Sequence, residues 1–186
     1  GFDEDHDAHN SELQMIYKTL RSQTIFGVGN YVDDFNNKTV FQLKIGTTVI
    51  SDSSTTIDDK ISHKNAYLYE SLNIADTTIL LGLSNNDHDD DEINIHVNKI
   101  NPKLGIQTII TNTILRAAYY STLKRPLLND QTLEPTNIFG FNQFYDEING
   151  TTANNIALGI NTRFSQKINS GFEVIKRDLL IPISRS

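Results

Sequence analysis

Two runs of sequence decide the fold: Asn101-Pro-Lys-Leu-Gly-Ile-Gln107 and Thr113-Ile-Leu-Arg-Ala-Ala-Tyr-Tyr-Ser-Thr122. The polar pair Thr111-Asn112 stands between them and suits a tight reversal, so the two runs predict neighbouring antiparallel strands. A stretch without a clear period follows at 124–150, and a clean alternation resumes at Thr152–Phe164. Long strands with a tight turn at one end and a long loop at the other predict a sheet that curls into a barrel.

The alternation itself is clearest in Thr152–Phe164, where apolar residues take every second position from Ile156 to Ile160. A period of two is the pattern of a strand with unlike faces. Glu12–Leu20 and Thr39–Ile50 show similar alternation. These runs reach the ~9–11 residues of membrane-spanning strands, whereas soluble strands average about 5–6. A soluble sandwich shows the same alternation, so strand length is what favours lipid outside and water inside.

The whole chain predicts an all-β fold, an antiparallel up-and-down meander of about nine long strands that forms part of a transmembrane β-barrel. Residues 1–10 are acidic and are predicted to be a loop remnant. Loops are predicted at 33–37, 51–62, 85–92 and 124–150, with short reversals at 21–23, 74–76, 111–112 and 165–169. Because 33–37 and 51–62 follow each other, either Thr39–Ile50 is an extension inside one long outer loop or a reversal is misplaced.

Composition excludes several classes of protein. The 186 residues are 38% hydrophobic, and no apolar run approaches the ~20 residues of a spanning helix. The net charge of −7 argues against a nucleic-acid partner, which requires clustered Lys and Arg. Cysteine is absent, which excludes disulfides and thiolate sites. The acidic start lacks the pattern of a signal peptide, so we expect 1–186 to be a single partial domain, a fragment of a longer protein.

No residue is predicted to be catalytic, to bind a cofactor or to ligate a metal. The acidic run Asp87–Glu92 offers the oxygen ligands that Ca²⁺ prefers, but it lacks the EF-hand spacing, and a solvated loop explains it as well. The acidic run Asp3–Asp7 is read as a solvated segment in the same way. His96 is predicted to face water between Asn94 and Asn98. No nucleophile–base motif and no glycine-rich phosphate loop is present.

The long loop at 124–150 is unusual, because structureless loops beyond about 12–15 residues are uncommon unless they are functional or disordered. Its aromatic residues are predicted to pack the loop onto itself or to cap the mouth of the barrel, and direct ligand capture is the alternative. These residues are Phe139, Phe141, Phe144 and Tyr145. Lys124 and Arg125, at a strand end, are expected to reach lipid phosphates or to extend along the surface.

Several short motifs resemble the strand–turn–strand units of TonB-dependent receptor-type outer-membrane barrels. They are Asn101-Pro-Lys-Leu-Gly105, Leu115-Arg-Ala-Ala-Tyr119 and Thr122-Leu-Lys-Arg-Pro126. Three further segments are similar to a narrower group of Gram-negative outer-membrane barrels, some of which carry tetratricopeptide repeats ahead of the barrel. Those segments are Asp130-Gln-Thr-Leu-Glu-Pro-Thr136, Gly140-Phe-Asn-Gln-Phe144 and Arg177-Asp-Leu179 with Pro182. The resemblance covers 101–182 well and 9–100 weakly.

The resemblance implies a bacterial outer-membrane location and a role in binding or passage of a small solute, without catalysis. The implied partners are outer-membrane lipid, an unidentified solute and TonB-type energy coupling through parts outside this chain. The matching motifs are structural, so no binding residue carries over from the family. The alternative is a soluble all-β binding module, a sandwich or small barrel, that uses the 124–150 aromatic loop for ligand or protein contact.

Overall fold

A computed structural model describes residues 2–45, 48–127, 131–143 and 146–182, and the regular structure in these ranges is β-strand. Those ranges hold no helix with the length and apolar character that a bilayer crossing requires. One large sheet contains eight strands: β1 (Phe2–Lys18), β2 (Ser22–Ile45), β3 (Thr48–Ile74), β4 (Thr77–Asp90), β5 (Ile95–Ile110), β6 (Thr113–Leu123), β9 (Thr152–Arg163) and β10 (Asn169–Leu180). Two short strands, β7 (Asn137–Ile138) and β8 (Phe141–Asn142), pair with each other inside the long loop.

The large sheet confirms the predicted all-β antiparallel meander, with eight strands where about nine were expected. Every strand pairs with the next one along the sheet, in the order β1-β2-β3-β4-β5-β6-β9-β10. The reversals at 75–76 and 111–112 are confirmed. Their first residues, Ala75 and Thr111, have φ of 51° and 55°, the left-handed conformation that lets a two-residue turn match the twist of its strands.

The prediction of a loop remnant at residues 1–10 is wrong for the described part. Residues 2–10 belong to β1 and pair with 31–39 of β2, from Phe2 opposite Thr39 onward. The ring of His6 stacks on Phe35 with centroids 5.4 Å apart. An acidic segment is therefore held as a strand because its neighbour offers a continuous ladder of backbone partners.

The predicted loops at 33–37 and 51–62 are also wrong, because β2 and β3 run through them as a long paired ribbon. Asp and Asn residues favour turns in isolation. Here they find cross-strand partners, and Lys60 lies 3.2 Å from Asp34. The predicted strand Thr39–Ile50 is instead divided between β2 and β3, with Ile45 paired to Thr48; residues 46–47 lie outside the described ranges. The turns at 75–76 and 111–112 then lie at one end of the sheet, and the turn at 91–94 lies at the other end.

The predicted acidic loop at 85–92 is mostly strand. β4 continues to Asp90, and the turn to β5 occupies 91–94. The run therefore alternates between the two faces of the sheet, with Asp87 and Asp89 on one face and His88 and Asp90 on the other. Pro102 pairs with Leu83 of β4 and lies one residue outside the β5–β6 ladder.

The two faces of the large sheet differ in chemistry. Residues 131–143 contact β1, β3, β5 and β6 on the same side, which we call the concave face or trough. The opposite, convex face carries exposed apolar side chains in register across the strands, which we call the apolar belt. Its members include Leu13, Met15, Phe26, Val28, Leu68, Leu81, Leu83, Leu104, Ile106, Ile156, Leu158 and Val174.

Candidate functional site

The long loop folds inward and fills the trough. Its β7–β8 hairpin places Ile138 and Phe141 against the sheet, where both side chains are completely buried. They pack against Ala118, Tyr120 and Ala157. Because these three sheet residues lie on the face opposite the apolar belt, the small apolar core of the molecule lies between the loop and the concave face.

Polar contacts fix the same hairpin to β6. The hydroxyl of Tyr120 donates to the backbone oxygen of Asn142 at 3.1 Å. The guanidinium of Arg116 donates to the backbone oxygen of Phe139 at 2.5 Å and lies 4.9 Å from the centre of the Phe141 ring. These bonds join the backbone of the hairpin to side chains of β6.

Residues 131–143, the trough segment, carry a carboxylate that is the centre of the site. Glu134 is 7% exposed, accepts three hydrogen bonds and forms an ion pair with Arg125. Its Oε1 accepts from Lys103 Nζ at 2.9 Å and from the Tyr69 hydroxyl at 2.8 Å. Its Oε2 accepts from Asn65 Nδ2 at 3.1 Å and lies 3.2 Å from the Arg125 guanidinium. Both carboxylate oxygens are therefore fully used.

The electrostatics of this carboxylate follow from its two cations. Burial alone would raise the pKa of Glu134, but Lys103 and Arg125 outweigh that effect and hold the pKa below its usual range. Lys103 itself is only 3% exposed. Removing one partner from such a buried cluster leaves an uncompensated charge, which costs far more than an exposed pair gains.

A second carboxylate ties the trough segment to β1. Glu12 accepts a hydrogen bond from the Thr132 hydroxyl at 2.8 Å and another from the backbone N–H of Leu133. Gln14, two residues along the same face, donates to the backbone oxygen of Leu133 and to the Tyr67 hydroxyl. The segment thus spans the trough from β1 to β6.

Two histidines lie beside this cluster in the trough. The rings of His63 and His88 are 5.8 Å apart, and His63 Nε2 is 3.2 Å from Asn86 Oδ1. Burial first, and then the positive charge of Arg125, lowers the pKa of His63 well below its ordinary value. Burial also lowers the pKa of His88. Both imidazoles are therefore neutral near pH 7.

A small polar cavity of about 30 Å³ adjoins Glu134 between the trough segment and the sheet. It is lined by side chains of β4, β5 and β6, among them Asn101 and Thr122. Asn101 Nδ2 and Thr122 Oγ1 are buried and have no hydrogen-bond partner among the described residues. A cavity of this size has room for a water-sized group.

The position of the trough segment refines the prediction for the aromatic residues of the 124–150 loop. Phe141 is buried against the sheet and Phe139 is partly buried against the same cluster, so neither ring lines an open pocket. Phe144 and Tyr145 lie outside the described residues. Arg125 does not reach toward lipid or along the surface as expected; it is 8% exposed because it pairs with Glu134 inside the trough.

The acidic run on β4 does not gather its oxygens around one point. Asp87 and Asp89 are on the convex side, where His96 lies 3.7 Å and 3.9 Å from them. The side chain of His96 is exposed, as predicted. Across the described ranges, no group of three or more His, Asp or Glu side chains is placed to hold a metal ion.

The cluster around Glu134 was missed by the sequence reading. Lys103 lies in an alternating strand, so its place on the face opposite the apolar residues was readable. Glu134 lies in a stretch without a period, 31 positions from Lys103 along the chain, and nothing local indicates that the two meet.

No protein-family model, no curated protein and no solved structure matches the chain. What the trough does is therefore inferred from its own residues.

Proposed function

We propose that this chain is a segment of an outer-membrane β-barrel whose polar trough binds a small solute or lines its passage. The apolar belt contacts lipid, and the trough segment narrows the interior. This role needs no chemistry, so we propose no enzymatic activity. The observation that carries the proposal is the inversion of the two faces of one sheet, with apolar side chains outside and paired charges inside.

The apolar belt supports the lipid contact. One of its rows joins Met15 to Phe26, Phe26 to Leu68 and Leu68 to Leu83, so apolar side chains stand opposite each other across four strands. Soluble monomers rarely expose a continuous apolar patch larger than a few hundred Å². A face of this kind, alternating with a polar face along each strand, is what a membrane barrel requires.

The change from apolar to polar residues along single strands supports a defined orientation of the sheet relative to the membrane. On the convex face of β4 the apolar Leu81 and Leu83 are followed by Asn85, Asp87 and Asp89 toward the turn at 91–94. The face thus changes from apolar to acidic along one strand. We propose that the end with the tight turns lies in the bilayer and that the long hairpins extend beyond it, as the longer loops of outer-membrane barrels do.

The resemblance to TonB-dependent receptor-type barrels supports the same location, a bacterial outer membrane. Energy coupling of the TonB type would involve parts outside this chain. Among the described strands, β1 and β10 each pair on one side only, so further strands would have to pair at both edges to close a barrel. Large barrels of the TonB-dependent class have about 22 strands.

The experiment that tests the proposal is extraction and folding of the full-length protein. We expect the protein to require detergent, to be rich in β-structure by circular dichroism and to change its gel mobility on heating. This fragment alone, without lipid, is expected to aggregate through its apolar belt. Cooperative folding of the fragment as a monomer in plain buffer would contradict the membrane location and favour the soluble binding module.

A further inference from the structure

We propose that the donors around Glu134 form a binding site for a small solute that carries a carboxylate, and that Glu134 is a tethered occupant of this site. This inference rests on the proposed role of the trough in binding, and it names the class of ligand. The trough segment would then compete with the solute for the same donors, and the solute would bind as the segment withdraws.

The donors belong to the wall of the trough and not to the segment that they hold. Asn65 and Tyr69 are on β3, Lys103 is on β5, and Arg125 follows the end of β6 by two residues. Only the carboxylate comes from residues 131–143. If the segment moves, the strands therefore keep three donors at 2.8 to 3.1 Å from the place of a carboxylate, and Arg125 stands where the long loop leaves β6.

The charge of the wall favours an anion. Lys103 and Arg125 supply two positive charges, and Glu134 supplies one negative charge in direct contact with them. The next carboxylate, Glu12, reaches Arg125 only through the hydroxyl of Thr132, which accepts from Arg125 at 2.7 Å. Without Glu134 the site would hold two buried cations that require a replacement anion.

The adjoining cavity indicates what the carboxylate should carry. Asn101 and Thr122 are among the residues that line a space of about 30 Å³ next to Lys103 and Glu134, and Asn101 Nδ2 and Thr122 Oγ1 are buried without partners among the described residues. A hydroxyl group attached near the carboxylate would hydrogen-bond to either of them. The geometry therefore favours a small hydroxycarboxylate over a simple carboxylate, and a simple carboxylate over a neutral amide.

The test uses the full-length protein with Glu134→Ala, which empties the carboxylate position. Acetate, glycolate, acetamide and chloride are titrated at matched ionic strength while the melting temperature is followed. We expect acetate and glycolate to raise the melting temperature in a saturable way, with glycolate effective at lower concentration, since a ligand of the folded state stabilises it by mass action. The wild type, whose site is filled, should not respond in this range.

Two further variants sharpen the result. Glu134→Gln fills the same space with a neutral group and should show no saturable response to acetate. Adding Lys103→Met to Glu134→Ala should weaken acetate binding about tenfold or more, because a charge-assisted hydrogen bond is lost. If Glu134→Ala does not fold unaided, the refolding yield replaces the melting temperature, and acetate should restore it where acetamide does not.

Equal effects of acetate, acetamide and chloride, or no effect on either folding or melting, would overturn the proposal. Whether the same protein preparations need detergent to remain soluble is measured in a separate experiment. A protein that folds in plain buffer would contradict the membrane location and would still allow the carboxylate titration to be read, so the two failures are distinguishable.

Discussion

The trough and the apolar belt are made by the same strands, and adjacent residues show how differently they are built. On β5, Lys103 is 3% exposed and paired, while its neighbour Leu104 is 49% exposed on the other face. In a water-soluble sheet the apolar residue would be covered and the lysine would be solvated. The difference teaches that one face of the sheet is covered by polar partners of the trough segment and the other is left open; lipid is the cover that we propose for the open face.

Among the substitutions proposed here, removing a charge from the trough should lower the free energy of unfolding the most. Lys103→Met leaves Glu134 with one cation and is expected to lower the free energy of unfolding by about 3–5 kcal/mol, the cost of breaking a buried pair. Lys60→Met is the matched control, because Lys60 and Asp34 also lie 3.2 Å apart but their side chains are 51% and 59% exposed, in the polar hairpin beyond the apolar belt. Its effect should stay below about 1 kcal/mol. Urea unfolding of both full-length variants gives the comparison, and equal losses would contradict a buried, paired Lys103.

Adding a charge to the apolar belt should cause the second largest loss in the free energy of unfolding. In a bilayer, Leu104→Arg is expected to cost about 2–4 kcal/mol if Leu104 lies near the midplane. Asn98→Arg, on the same face of the same strand but in its polar extension, should be nearly neutral. Unfolding in lipid vesicles measures both. If Leu104→Arg were neutral or improved solubility in plain buffer, the belt would be facing water.

A smaller effect is expected where the hairpin meets the sheet. A Cβ at Gly105 would lie 2.8 Å from Ile138 and 2.9 Å from the Phe139 ring, so Gly105→Ala should push the β7–β8 hairpin away at a cost of about 1–3 kcal/mol. Gly171→Ala is the control, since there the nearest atom is the end of the Asn161 side chain. Hydrogen exchange of residues 137–142 should accelerate in the first variant only. If Gly105→Ala left the exchange of residues 137–142 unchanged, the hairpin would not pack against Gly105.

The buried His63 should have the smallest effect on stability, and this effect should develop gradually with pH. The folded chain holds His63 neutral, whereas the unfolded chain protonates near pH 6.5. The unfolded state therefore binds more protons below that pH, and stability should fall as the pH falls from 6.5, by at most about 1.4 kcal/mol per unit. His63→Gln should reduce this slope, and an equal slope in the wild type and this variant would contradict a buried His63.

The architecture was predictable because it depends on local signals. Period-two alternation marks β5 and β9, and the short turns at 75–76 and 111–112 contain Asp76 and Asn112, which suit reversals. The outer hairpin of β2 and β3 was misread, because Asp and Asn residues at 33–37 favour turns until a long partner strand pairs with them. Tertiary pairing therefore overrode a local preference.

The site was less predictable than the fold. Alternation places Lys103 opposite the apolar face, but it does not say which group neutralises it. Glu134 meets Lys103 only because the long loop folds inward instead of extending into solvent. The direction in which a loop folds depends on packing such as that of Ile138 and Phe141 in the trough, and this has no periodic signature in the sequence.

The central claim is tested most directly by measuring whether the convex face contacts lipid or water. The chain contains no cysteine, so single cysteines carrying a nitroxide label can be placed along β5 of the reconstituted full-length protein. At Ile100, Leu104 and Ile106 we expect strong relaxation by oxygen, which concentrates in lipid, and protection from a water-soluble nickel chelate. At His96 and Asn98 the chelate should dominate. If the chelate reaches Leu104 as readily as Asn98, the apolar belt does not face a membrane and the account is wrong.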